Sequence, residues 1–278
     1  MYHKGTDMLK LRVITGMVLL VIICLVLLLS GVPWFLNTVI ACLCLQAIME
    51  IYRATGAKNN RVFFKLSCLI AAVFSYISIT HYETVITILL IMAIAFFVYI
   101  MLNIKQIPSI PTAVSALIAC FIVCFYKTMT NIRSEEFGLY TLALAIFVCI
   151  VDDIAAYFAG KVCGKHKLAP IISPNKTVEG SIGGVVCSVA FFLLLAFILD
   201  KAGVVMVYYA KLILYLITAS IVGQFGDLSL STIKRITKIK DYGSLLPGHG
   251  GILDRFDSLL FVLPFTYIFC CMAGPIFC

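Results

Sequence analysis

Nine apolar runs, each long enough to cross a bilayer as a helix, constrain this chain more than any other feature. They lie near 11–30, 33–52, 62–80, 84–102, 111–127, 137–159, 181–199, 204–226 and 258–276, and a spanning helix needs roughly 17 to 25 mainly apolar residues. With 63% hydrophobic and only 12% charged residues among 278, the chain has too few charges to cover a soluble globule. The pattern predicts an all-α polytopic membrane protein of about nine transmembrane helices in a single membrane-embedded domain, 1–278. Residues 1–136 show little beyond hydrophobicity and loop charge, which suits scaffold and lipid-facing helices. Both charged islands fall in 137–278. The first run is too long for a signal-peptide core and lacks a small-residue cleavage site, so it reads as a retained helix.

Lys and Arg, counted on alternating sides of these spans, set the orientation. Seventeen fall on the side of the N-terminus and four (Lys127, Arg133, Lys201, Lys211) on the other. Under the positive-inside rule the N-terminus and both charged islands face the cytosol and the C-terminus lies outside. The formal charge of +8 is spread over short inter-helix loops, not one continuous patch. That excludes nucleic acid as the expected partner and favours anionic lipid and nucleotide phosphates. Most of the twelve cysteines sit inside apolar runs without metal-ligand spacing, as buried small hydrophobes would.

The first island runs from Asp227 to Asp257 and interleaves four acids with five cations. A loop that only set topology would not carry those acids. Asp227, Ser231, Lys234 and Arg235 stand at i, i+4, i+7 and i+8, so a helix continuing through them presents them on one face. Leu246-Pro247-Gly248-His249-Gly250-Gly251 cannot continue that helix and predicts a turn with bare backbone N–H groups. Asp254 and Asp257 then resume helical spacing. Carboxylates on two elements, cations beside them and a glycine turn between are what a hard divalent cation and a polyphosphate need together.

The second island, 151–184, opens with Asp152 and Asp153 at the end of an apolar run, where an acid is costly unless paired, metal-bound or facing water. Lys161, Lys165, His166 and Lys167 form a cationic cluster. Ser173 could cap a helix with Pro174 at its first position, leaving amides free for phosphate beside Lys176 and Thr177. An ordinary capped helix behind a topology-setting loop explains the same residues equally well.

Ser231, Lys234-Arg235, Lys240-Asp241, Gly243, Pro247, His249-Gly250-Gly251, Asp254-Arg255 and Asp257 together resemble the signature of the CDP-diacylglycerol synthases, or phosphatidate cytidylyltransferases, of bacterial type. The second island is similar to the same family through Asp153, Gly164 to Pro170, and Ser173 to Gly180. Asp152 stands outside the resemblance and is given no role. Glu50 and Glu83, near span ends, are read as snorkelling, and Lys127, Arg133, Glu135 and Glu136 as a solvated external loop.

The resemblance implies transfer of CMP from CTP to phosphatidate, giving CDP-diacylglycerol and pyrophosphate, with Mg²⁺ as cofactor and room for a monovalent cation. It implies Asp227 and Asp254 as metal ligands, with Asp241 and Asp257 as further candidates. Lys234, Arg235 and Arg255 would neutralise phosphate, and His249 would donate a hydrogen bond to it. Ser173, Lys176, Thr177, Glu179, Ser231, Lys240, Gly250, Gly251 and Asp153 are implied at the substrates. It also implies a multi-pass protein of the bacterial cytoplasmic membrane with its site facing the cytosol, and leaves a homodimer open. A CTP-using lipid kinase would transfer the γ-phosphoryl group instead. A transporter would show internal repeats and charges at mid-membrane, and neither is evident.

Overall fold

A computed structural model describes residues 2–57, 61–77, 110–248 and 250–277. Eight helices make up nearly all of it: α1 Tyr2–Leu29, α2 Pro33–Ala54, α3 Arg61–Tyr76, α4 Ile110–Ser134, α5 Gly138–Cys163, α6 Val178–Lys201, α7 Tyr209–Ile236 and α8 Asp257–Ala273. A small antiparallel hairpin, β1 Lys167–Ala169 with β2 Ser173–Thr177, joins α5 to α6. Eight of the nine expected spans fall on these helices, and the run at 84–102 lies outside the described residues. Among the described residues, five helices are long and apolar enough to cross a membrane, the architecture of an all-α membrane protein.

The chain divides into two compact units, Met1–Asn131 with Thr237–Arg255, and Ile132–Ile236 with Phe256–Cys278. In the first unit, α2 buries Leu36, Ile40, Cys44, Ala47, Ile48 and Ile51, the spacing of one helical face. Polar contacts join its helices: Tyr52 Oη lies 2.9 Å from Ser67 Oγ, and Thr55 Oγ1 lies 2.7 Å from Ser115 Oγ. Lys127, expected in a solvated loop, is instead buried within α4, because that helix runs on to Ser134. Its ammonium donates to the Ser75 carbonyl at 2.7 Å and to Asn37 Oδ1 at 3.2 Å.

In the second unit, small residues let α5 and α6 approach closely. A Cβ added at Gly180 would lie 3.0 Å from Gly160 Cα, and one at Gly184 would lie 3.0 Å from Ala156 Cβ. This spacing of small residues by four is the packing device of membrane helices. On α7 and α8, Tyr215 Oη lies 2.8 Å from Thr266 Oγ1 while its ring stacks on Phe265.

The hairpin corrects the expected helix start at Ser173. Ser173–Thr177 pairs with Lys167–Ala169, so Pro174 lies in a strand, and Thr177 caps α6 by accepting the Gly180 N–H at 3.1 Å. The eleven described cysteines are all free; Cys44 and Cys124 are buried as expected, whereas Cys24, Cys42 and Cys187 lie exposed on apolar helices.

Candidate active site

The second unit gathers charge around one lysine. α7 continues through Ile236, so Asp227, Ser231, Lys234 and Arg235 share a face as their spacing requires. Ser231 Oγ donates to Asp227 Oδ1 at 3.1 Å, and Lys176, from β2, forms an ion pair with Asp227 Oδ2. Burial alone would lower the Lys176 pKa, but the Asp227 carboxylate, with Asp153 and Asp257 also acting on the ammonium, raises it. Lys176 thus contacts one carboxylate, Asp227 of α7, while Asp153 of α5 and Asp257, the first residue of α8, act on it electrostatically. Arg235 Nε donates to the Ile172 carbonyl at 2.8 Å and ties the hairpin to the end of α7.

Beside this cluster lies a cavity of about 400 Å³ lined by Asp152, Asp153, Tyr157, Lys161, Lys176 and Gln224, among others. Asp152, set aside on sequence, is buried, and its Oδ2 accepts from Gln224 Nε2 at 3.0 Å. Gln224 is fixed in turn by Ser181, whose hydroxyl donates to its Oε1 and whose carbonyl accepts from its Nε2 at 3.1 Å. A lone glutamine amid an apolar span was the available signal for this network. Glu179 accepts the backbone N–H groups of Lys165 at 3.0 Å and His166 at 3.1 Å, and lies 2.6 Å from His166 Nδ1. It therefore holds the loop that leads into the hairpin.

In the first unit the glycine turn closes on itself: Leu246 N donates to Gly250 O at 2.9 Å, and Gly250 N returns to Leu246 O at 3.1 Å. Gly248 and Gly250 carry φ of 76° and 85°, the left-handed region that glycine enters without strain. The amide of Gly251, expected bare, and those of three residues flanking the turn are taken by carboxylates. Asp254 Oδ2 accepts from Gly251 N at 2.9 Å and Tyr242 N at 2.8 Å. Glu50, from α2, accepts from Ile252 N at 2.9 Å and Leu253 N at 2.8 Å. Glu50 is fully buried, which corrects its reading as a snorkelling side chain: its partners arrive from some 200 residues along the chain. Asp254 stands in a turn and not on a helix, since α8 begins only at Asp257.

Of the remaining expected residues, Lys240, Asp241 and Arg255 are exposed in the first unit, Ser173 is half-buried on β2, and His249 lies outside the described residues. Among the described residues no three His, Cys, Asp or Glu side chains converge as a ready metal cage. Mg²⁺ commonly takes one or two carboxylates and completes its shell with water and substrate phosphate. The ion pair of the Lys176 ammonium with Asp227 shows that this carboxylate attracts a cation.

The chain is 46% identical over 145 residues to a phosphatidate cytidylyltransferase of Bacillus subtilis, 47% over 144 residues to one of Staphylococcus haemolyticus, and 48% over 145 residues to one of Staphylococcus aureus. Each match covers 52% of this chain and 52% of the relative, so the chain spans about half the length of the curated relatives it matches. A wider match, to the cytidylyltransferase family, takes in residues 10–273, and the chain belongs to that family.

Proposed function

We propose that this protein transfers CMP from CTP to phosphatidate, releasing pyrophosphate and leaving CDP-diacylglycerol in the membrane. The observation that carries this reading is the Lys176–Asp227 pair, with Ser231, Lys234, Asp153 and Asp257 around it. Attack of a lipid phosphate oxygen on the α-phosphorus of CTP brings two anions together. The protein must therefore supply charge compensation more than covalent help. Lys176 and Lys234 provide it from the hairpin and α7, and Arg235 and Arg255 add to it. His249 donates to phosphate, and needs no base function because a phosphate monoester is already ionised near neutral pH.

Asp227, in the second unit, and Asp254, in the first, are each proposed as a carboxylate for Mg²⁺, which when bound would screen phosphate charge and stabilise the departing pyrophosphate. Positive-inside counting supports a cytosolic N-terminus and a site facing the cytosol of a bacterial cytoplasmic membrane. CTP is available on that side, and the lipid's chains stay in the bilayer.

The test is incubation of membranes with labelled CTP and phosphatidate, followed by identification of the lipid product. Pyrophosphate release with CMP retained on the lipid supports the reading. Lipid carrying only the γ-phosphoryl group would overturn it in favour of a kinase.

A further inference from the structure

The cavity of the second unit contains two lysines in unlike states. Lys176 is ion-paired with Asp227. Among the described residues, the Lys161 side chain has no hydrogen-bond or ion-pair partner, and neither has that of Asn175, although both line the same cavity. On α5, Asp153, Tyr157 and Lys161 stand at i, i+4 and i+8 and form one wall of it. The stripe spans ~12 Å along the helix, with the cation in the last turn.

The neighbouring stripe on α5, one residue on, is Ile154, Phe158 and Val162, at 53%, 60% and 81% exposure. On a helix this apolar, such an exposed row faces lipid. An unpaired ammonium and an amide lining one cavity beside the Lys176–Asp227 pair suit a phosphate monoester, which accepts several hydrogen bonds and carries close to two charges. The adjoining lipid-facing row selects among phosphates. A nucleotide has nothing to place along Ile154, Phe158 and Val162, whereas a phospholipid has its acyl chains. The last turn of a spanning helix is also the depth at which headgroup phosphates lie.

We propose that Lys161 and Asn175, with the Tyr157 hydroxyl, receive the phosphate monoester of the lipid substrate while its acyl chains lie along Ile154, Phe158 and Val162. This rests on the cytidylyltransferase reading above and adds the lipid subsite to it.

The test compares wild type, Lys161→Ala, Lys161→Arg and Asn175→Ala in mixed micelles, varying the phosphatidate mole fraction and the CTP concentration separately. Lys161→Ala should raise the KM for phosphatidate about tenfold or more, the size of a lost charge-assisted hydrogen bond, with the KM for CTP unchanged. Lys161→Arg should restore it to within about threefold, since the guanidinium also binds phosphate. Asn175→Ala should shift it in the same direction by less. A rise in the CTP KM instead would assign Lys161 to the nucleotide, and no change in either would leave it a solvated charge; both overturn the proposal.

A binding arm without turnover uses protein in nanodiscs, measuring retention of phosphatidate over phosphatidylcholine. Wild type should show the preference and Lys161→Ala should lose it. Retention through Lys161 without any CMP transfer by wild type would refute the proposed activity and leave the lipid subsite standing. Equal retention by both proteins would do the reverse.

Discussion

The Glu50 carboxylate accepts the backbone N–H of Leu253 at 2.8 Å with one oxygen and that of Ile252 at 2.9 Å with the other. A single acid of α2 thus fixes the exit of the glycine turn. Cβ atoms added at Gly243 and Gly251 would collide with the same carboxylate, so its seat admits only glycine at both positions.

Glu50→Ala should therefore loosen the 241–256 segment far more than a change in a scaffold helix would suggest. The buried amide of Leu253 and the partly buried amide of Ile252 lose their acceptor, which costs about 2–5 kcal/mol together. Faster limited proteolysis within 241–256, with membrane insertion intact, is the expected outcome. Glu50→Gln keeps one acceptor oxygen and should fall between. Unchanged proteolysis in Glu50→Ala would show that the turn holds without it.

Gly250→Val should be more damaging than a loop position suggests. Its φ of 85° is strained for any side chain and most of all for a β-branched one, and even a bare Cβ would stand 2.9 Å from Asp254 Oδ2. CTP-dependent turnover should fall by at least about an order of magnitude, as for loss of one positioned group in a preorganised site. Gly243→Val, which spacing alone would rank as milder, should damage comparably because it displaces Glu50. Wild-type CTP affinity in either variant would reduce the turn to a connector.

Much of this architecture was legible from hydrophobic run length, because a spanning helix must satisfy its backbone internally and so writes its length into composition. The Asp227–Ser231–Lys234–Arg235 face was legible too, since continuation of α7 fixes i, i+4 and i+7 neighbours. Glu50 was not, because its partners are backbone amides about 200 positions away and a backbone N–H leaves no trace in residue type. Lys127 failed for a related reason: the charge at the end of its apolar run looked like a loop, while its acceptors are a carbonyl and an asparagine on other helices. The hairpin was hidden by Pro174, which suits a helix start as well as a strand in a short two-stranded ribbon.

Asp227→Asn should lower turnover by about two orders of magnitude or more, because it removes the charge opposite Lys176 and alters shape little. Asp254→Asn should do likewise. Asp254 loses charge where Gly251 and Tyr242 donate, so some of its effect should appear as the proteolytic loosening expected of Glu50→Ala, whereas Asp227→Asn should show none. Near-normal activity of both variants at ordinary Mg²⁺ would remove them from the metal assignment.

The last prediction concerns the side of the membrane on which the second island lies. Seventeen of the 21 Lys and Arg residues fall on one side when the nine runs alternate, and Lys161, Lys165, Lys167 and Lys176 are among them. Cys163 ends α5 within this island and is exposed, while Cys278 ends the sequence given. With the other cysteines replaced, each reports its own side to an impermeant thiol reagent. In intact cells Cys278 should label and Cys163 should stay protected; in inverted vesicles Cys163 should label and Cys278 should not. Labelling of Cys163 from outside the cell would place Lys176 and Asp227 away from cytosolic CTP, and the nine-span topology and the proposed nucleotide site would fall together.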